Sequence, residues 1–348
     1  MKTKVFRVLR FLAFLALGLG LLFLALKGVS MEELAKKLKM ADTIWIPVAL
    51  FAAIIGYLSR AYRWKLLIKP LNYNPSFWNT FFALMIGYTA NFAFPRIGEI
   101  TRCGTLKKSD KIPMDSLLGT VIIERAIDML VLFVVLIIIF FAKMDFFGQF
   151  LTQKIFLPIL NNIKETLQVS VFNWIIIAAI LVLLIFAVRY LNRKFSHNPF
   201  LQKLKKIYRG VVSGLKTIAR MQDRWVFTLH TLIIWVMYFL MTYVLVFALP
   251  TTSALQPIDG LFLLVIGGLG MAAPVQGGIG AFHAIIILGL RLYGIPQADA
   301  AAYAVISHES QAVLVILLGA ISFIMIVIRR RKLTSVSTKF RQTAVDNK

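Results

Sequence analysis

The chain has 348 residues, 59% of them hydrophobic, with a mean hydropathy of +0.80 and a single cysteine. That composition excludes a pair of soluble domains, and Cys103 alone excludes an internal disulfide or a cysteine metal cluster. A net charge of +24 would suggest nucleic acid in a soluble protein, but here the basic residues collect beside long apolar runs, as they do in cytoplasmic loops.

In chain order the apolar runs are Val8–Leu26, Ile44–Leu58, Leu117–Ala142, Val171–Val188, Trp225–Leu249 and Tyr303–Ile328. Most meet or approach the ~20 residues that cross a bilayer as a helix. The alternation expected of a membrane barrel is absent. The first run follows Lys2, Lys4, Arg7 and Arg10. Its core is too long for a signal peptide, and Ala25-Leu26-Lys27-Gly28 is no small-x-small cleavage site, so it reads as a retained signal-anchor helix.

Two further apolar segments are broken by one device. The first reads GYTANFAFPRIGEITR, Gly87 to Arg102, and the second GGLGMAAPVQGGIGAFH, Gly267 to His283. Each reaches a Pro-x-x-Gly step, Pro95 to Gly98 and Pro274 to Gly277. Lipid cannot satisfy freed backbone groups, so such breaks survive at membrane depth only inside protein or beside a watery cavity. A matched pair of interrupted segments points to a transport site.

Charge supports the same reading. With the N-terminus inside, 30 of the 39 Lys and Arg fall on the inner side, provided that Phe77–Arg102 enters and leaves there. Were it a full span, Lys107, Lys108 and Lys111 would lie outside and the asymmetry would reverse. Pro257–Gly294 reads as a second hairpin, entered from outside. The expectation is an all-α polytopic membrane protein with about six full transmembrane helices and two re-entrant helical hairpins in an inverted-repeat arrangement. One membrane domain covers 1–332, with halves of about 1–145 and 168–330, and 333–348 is a short basic tail. The halves join through the basic stretch 189–224, where Leu201, Leu204, Ile207, Val211, Leu215 and Ile218 recur at helical spacing. This stretch is either an interfacial helix on anionic lipid or an ordinary positive-inside linker. Phe146–Leu167, interrupted by Pro158, either covers the outer mouth of a cavity or is a surface loop.

Ionisable groups inside spans are costly, ~2.5–3.5 kcal/mol each at the helix centre, and persist when paired or solvated. Glu124 and Asp128 are four apart and share a helix face, with Arg125 about 100° away. Two acids on one face call for a cation from elsewhere. Arg96, Glu99 and Arg102 of the first hairpin are expected to pack against Glu124, Arg125 and Asp128 in one polar cluster. Arginine suits bidentate grip of phosphate; a purely structural ion network is the alternative. In the second hairpin, Gly277, Gly278 and Gly280 let backbone N–H groups approach a ligand, although small residues also serve close helix packing, and Gln276 beside them is a further candidate binding residue. His283 either senses protons or headgroup oxygens or is a satisfied core histidine. Ser307-His308-Glu309-Ser310-Gln311 suggests a cavity-lining face. His308 and Glu309 form a proton-responsive set, yet adjacent helix positions diverge and are not expected to pair directly. His230 reads as interfacial.

At these motifs the chain resembles the lysylphosphatidylglycerol synthase transmembrane-region family, the flippase-like domain. Asn91, Pro95, Arg96, Gly98, Glu99 and Arg102 match its first motif, Glu124, Arg125 and Asp128 its second, and Pro274, Gly277, Gly278 and Gly280 its third. Phe92 stands where a second Asn is common and His283 where Glu is usual. The resemblance implies a multi-pass protein of the cytoplasmic (inner) membrane with two re-entrant helices and a role in lipid translocation. No synthase domain accompanies it in this sequence, so synthesis of aminoacylated lipid is not carried over.

The leading expectation is a transporter of an anionic or modified (glyco)phospholipid or a polyprenyl-linked lipid, with both termini in the cytoplasm, anionic headgroups as partners, and no nucleic acid, cofactor or metal. A homo-oligomer or envelope-biosynthesis partners stay open. The alternatives are a membrane-embedded transferase or phosphatase, with Mg²⁺ on Glu124 and Asp128 and His308 or His283 as base, or an accessory subunit of an envelope-biosynthesis complex.

Overall fold

The computed structural model describes residues 2–144, Leu157 and 221–346, with side chains for 9, 11–144, 157 and 221–329. Among these residues every regular element is helical. In chain order they are α1 (Lys2–Leu26), α2 (Met31–Met40), α3 (Trp45–Ile68), α4 (Phe77–Ala93), α5 (Gly98–Asp110), α6 (Met114–Ala142), α7 (Arg224–Tyr243), α8 (Pro257–Ala272), α9 (Ala281–Leu292) and α10 (Gln297–Asp346). Four segments are long and apolar enough to cross a membrane: Trp45–Leu71, Met114–Ala142, Arg224–Ala248 and Gln297–Arg329. Counted as one span, Phe11–Leu26 and Met31–Met40 make a fifth; they bend by 82° across a break that holds Gly28, whose φ is +91°. These account for five of the six expected runs. Val171–Val188, Phe146–Leu167 apart from Leu157, and the amphipathic stretch from Leu201 to Ile218 lie outside the described residues.

The chain divides into two compact units, Met1–Arg125 with Ile218–Lys348, and Ala126–Thr217. The described part of the second unit is essentially the latter half of α6, which exposes Met129, Phe133 and Phe141, as a lipid-facing helix does. All that follows concerns the first unit.

Local chemistry sets the element ends. Ser30 Oγ accepts from Glu33 N at 3.0 Å and starts α2. Pro257 opens α8, where Gln256 N donates to Asp259 Oδ2 at 2.9 Å, a reciprocal cap. Two contact sets define the ends of the bundle. At one end Lys69 Nζ meets Asp223 Oδ2 at 2.6 Å, and Arg329 of α10 donates to Asn79 Oδ1 at 3.3 Å. At the other, Lys37 pairs with Asp299 at 2.9 Å and Gln297 Nε2 donates to Lys27 O at 3.0 Å.

The α4–α5 pair opens at the first end. Ser76 N and Asn79 Nδ2 donate to the Asp110 carboxylate at 3.2 and 3.1 Å, closing the mouth. Deeper in, Gly98 and Arg102 pack on Gly87, and Gly98 N donates to Asn91 Oδ1 at 2.8 Å. Both helix termini therefore sit at one end, so the segment does not traverse. The α8–α9 pair opens at the other end, with Phe262 on Tyr293 near its mouth and Gly270 on Phe282 near its tip. Two broken segments thus dip in from opposite ends. Their tips touch, because Arg96 Nη2 donates to Ala272 O at 2.9 Å and the Phe92 ring fills the space over Gly277.

The long helices clamp the hairpins. On α10, Gly319 has no room for a Cβ because Thr89 lies against it, and Thr89 Oγ1 donates to Val315 O at 3.0 Å. On α1, Gly18 performs the same service for Gly280 and Ile279. Ala300, Ala301, Ala302 and Ala304 of α10 are wholly buried, which permits the close backbone approach that substitutes for a hydrophobic drive in lipid. A buried apolar cluster that includes Trp64, Ile68, Ala83, Cys103, Leu106, Leu117 and Val121 joins α3, α4, α5 and α6.

Candidate functional site

Three helices carry charge into the interior. From α3 come Arg60 and Arg63, three residues apart and both buried; α5 supplies Arg102, and α6 supplies Glu124, with no exposed surface. Arg60 Nε and Nη2 reach Glu124 Oε1 at 2.9 and 2.6 Å. Arg63 Nη2 lies 3.8 Å from the same oxygen, and Arg102 Nη1 lies 3.0 Å from Oε2. The Arg102 contact is an ion pair with poor hydrogen-bond angles, and its Nε, Nη1 and Nη2 are buried without a hydrogen-bond acceptor. Its guanidinium instead lies over the Trp64 ring at 4.6 Å, a cation–π contact that desolvation strengthens. Trp64 Nε1 is fixed in turn by Thr120 Oγ1 at 2.9 Å. A buried carboxylate tolerates removal from water only when paired and hydrogen-bonded. Here three guanidinium groups converge on it.

Next to Glu124, Arg125 turns to a more exposed side and its Nε donates to Glu99 Oε1 at 2.6 Å, with both side chains nearly half exposed. The hairpin is thus tied to α6 by two pairs, Glu99–Arg125 and Arg102–Glu124. Arg96 does not join them. It sits at the hairpin tip with φ +63° and reaches across to Ala272. The turn after Pro95 aims it away from α6, which corrects the expectation of a single cluster holding all six charges. Asp128, expected in the same cluster, belongs to the second unit and is half-buried.

Arg60 and Arg63 were missed by the sequence, where the apolar run appeared to stop at Leu58 and these arginines read as loop charges. In fact α3 continues to Ile68. The available signal was their spacing: Ser59, Arg60 and Arg63 keep one face of a continuing helix, and Trp64, Leu66, Leu67 and Ile68 resume the apolar pattern.

Above the charges lies a cavity of about 380 Å³. Its polar wall is Tyr57, Arg60, Tyr88, Asn91, Arg125, Tyr238, Ser307, His308 and Gln311; its apolar wall includes Met241, Leu263, Met271, Phe282 and Val315. Arg60 Nη1 donates to Tyr238 OH at 2.8 Å, so this arginine links the buried carboxylate to the cavity wall. Asn91 serves twice, capping α5 and facing the cavity. The volume and the mix of apolar surface with a few convergent polar groups are those of a small-molecule site.

The second hairpin turns on glycine. Gly277, Gly278 and Gly280 have φ of +57°, +79° and +79°, a region side chains avoid. Phe92, Met271 and the Gly18 backbone occupy the places where their Cβ atoms would lie. These glycines are therefore spent on the turn and on close packing, while Gln276 Nε2 donates to Phe11 O at 3.1 Å. His308 Nε2 lies 2.8 Å from Gly277 O, and His308 Nδ1 lies 2.9 Å from Glu309 Oε1. Direct pairing of these neighbours corrects the expectation. The two Cα–Cβ bonds diverge, but Nδ1 lies close to its own backbone and the longer glutamate folds back to meet it. Buried His283 brings Nε2 to 3.6 Å from the same Glu309 oxygen. His230 is half-buried, with Nδ1 2.7 Å from Ser59 Oγ.

Two archaeal membrane proteins are similar to this chain along most of its length. A UPF0104 membrane protein of Methanocaldococcus jannaschii is 22% identical over 340 residues, covering 93% of this chain and 95% of its own. Another, from Methanothermobacter thermautotrophicus, is 21% identical over 293 residues, covering 79% and 83%. No solved structure matches the chain. The family model described as "Lysylphosphatidylglycerol synthase TM region" matches residues 11–319. With that match spanning most of its length, the chain belongs to the lysylphosphatidylglycerol synthase TM region family.

Proposed function

We propose that this protein is a lipid transporter of the cytoplasmic membrane that takes an anionic headgroup into the cavity between the two hairpin tips, while the acyl chains stay in surrounding lipid. The observation that carries the reading is a polar cavity lined by Arg60 and Arg125 where broken segments from opposite ends meet. Among the described residues, Arg125 uses only Nε on Glu99, so its two Nη groups remain to grip a phosphate from the half-exposed edge. Arg60, held by Glu124 and Tyr238, supplies fixed positive charge from behind. The opposed hairpins support an inverted repeat, in which alternating access exchanges the mouth through which the headgroup enters. The balance of basic residues supports both termini on the cytoplasmic side. Membrane potential would contribute ~2.3 kcal/mol per charge per 100 mV to such a step.

The enzyme alternative needs Glu124 as a Mg²⁺ ligand. Three guanidinium groups already hold that carboxylate, so the geometry favours transport.

The test is reconstitution in liposomes containing fluorescent anionic and zwitterionic phospholipids, with dithionite quenching as the readout. Arg125→Ala removes a half-exposed group and should leave the fold intact. Loss of one charge-assisted bond, about 1.5–3 kcal/mol, should slow translocation of the anionic lipid at least tenfold and of the zwitterionic lipid less. Equal rates for wild type and variant, at matched folded protein, would remove the headgroup assignment.

A further inference from the structure

We propose that His283, His308 and Glu309 form a binding site for a divalent transition-metal ion of the zinc class, tying the second hairpin to α10. The site needs neither Arg60 nor Arg125, although His308 also lines the cavity. One potential ligand atom from each residue lies within 4.8 Å of the others. His308 Nδ1 and His283 Nε2 converge on one oxygen, Glu309 Oε1, at 2.9 and 3.6 Å, and the two rings are 4.9 Å apart.

Hydrogen-bond chemistry at His308 makes the case for a cation. Its Nε2 lies 2.8 Å from the Gly277 carbonyl oxygen, which only accepts, so Nε2 carries the hydrogen. In the neutral ring Nδ1 is then a lone pair, and it faces a carboxylate oxygen, another acceptor. That contact is repulsive unless a positive centre sits there. A proton on Nδ1 would serve for His308 alone. A neutral His283 could aim an Nε2–H at the same oxygen, but at 3.6 Å that contact is too long for a hydrogen bond, so its ring nitrogen remains available as a ligand. Two imidazoles and a carboxylate aimed at one point are the ligand set of a zinc site, at bond lengths of ~2.0–2.2 Å.

For His308 the surroundings supply a second layer. A metal-ligating histidine usually donates its other N–H to a carbonyl or carboxylate, which fixes tautomer and ring plane. Gly277 O does this for His308. Gly277 holds its left-handed φ in the hairpin tip, so the tip conformation and the ligand orientation set one another. Glu309 is 53% exposed at its side chain whereas the two histidines are buried. Three protein ligands with one wet side leave an access route and an open coordination position. Nitrogen donors select zinc, cobalt or nickel over magnesium or calcium, which prefer all-oxygen shells.

The experiment is a zinc chloride titration of the full chain in detergent, purified through a tag without histidine, with cobalt absorption as a second readout. The expected result is one zinc per chain and a tetrahedral or five-coordinate cobalt spectrum, with no displacement by millimolar magnesium. His283→Ala and Glu309→Gln should each weaken zinc more than about tenfold, the size of effect known even for second-layer changes. Should His283→Ala fail to fold, the half-exposed Glu309→Gln decides alone. No stoichiometric zinc in the wild type overturns the proposal, as does affinity unchanged by Glu309→Gln, or displacement by magnesium.

Discussion

The two hairpins share a Pro-x-x-Gly step and a depth in the protein, yet they are held in opposite ways. The first is fixed by side chains: Asn91 caps its return helix, Glu99 and Arg102 bind it to α6, and its tip residue Arg96 is a non-glycine in a left-handed conformation. The second is fixed by backbone, with three glycines at positive φ, neighbours filling the Cβ positions, and a carbonyl anchored by His308. A charge-held hairpin can present guanidinium groups to a cavity, whereas a glycine-held one can bring main chain against two long helices. Between them they make a pocket with one charged wall and one close-packed wall.

The sharpest way to break this comparison is to remove the charge on which the first hairpin depends. Glu124→Gln keeps the shape and leaves three guanidinium groups facing a neutral amide. Breaking a buried pair by deleting one partner costs about 3–5 kcal/mol. The expected outcome is a large drop in unfolding temperature in detergent, with hydrogen-exchange protection lost first across Gly98–Asp110. Equal loss across Ala281–Leu292 would show that the hairpins are not held separately.

Glycine substitutions probe the other side. At Gly98 an added Cβ would run into the Gly87 carbonyl and Asn91, and at Gly280 into the Gly18 carbonyl and Leu22 N. Overpacking of either kind costs about 1–3 kcal/mol. Only Gly280 is also at positive φ, which adds about 1–2 kcal/mol for a side chain. Gly280→Ala should therefore destabilise more than Gly98→Ala in the same thermal assay. The reverse order would mean that the second hairpin yields its turn more easily than its packing implies.

Much of this architecture was legible in the residues, and the gaps have physical causes. Interrupted apolar runs and the distribution of Lys and Arg predicted both re-entrant segments, because freed backbone and loop charge are expensive in lipid. Glu124, Arg125, Glu99 and Arg102 stood out as charges beside a break, and they do pair. Arg60 and Arg63 did not stand out, because a helix that ends in arginines and a helix that buries them look alike until its neighbours are known. Pairing between Arg60 and Glu124 spans 64 positions, a separation that no local pattern encodes. The His308–Glu309 contact was hidden for the opposite reason, since backbone geometry argues against it and only side-chain torsions permit it.

The smallest test concerns Arg96, where the two hairpins touch. Its left-handed φ of +63° costs about 1 kcal/mol or more for a side chain, and its bond to Ala272 O returns about 0.5–1.5 kcal/mol. Arg96→Ala loses the bond and keeps the backbone cost. Arg96→Gly loses the bond and sheds the cost, at the expense of a looser unfolded chain. Glycine should therefore be more stable than alanine at this position, by about 0.5–1 kcal/mol, which inverts their order at an ordinary helical site. If alanine proves the more stable, the tip relaxes to negative φ on its own. The contact with Ala272, rather than the turn after Pro95, would then be what holds Arg96 left-handed.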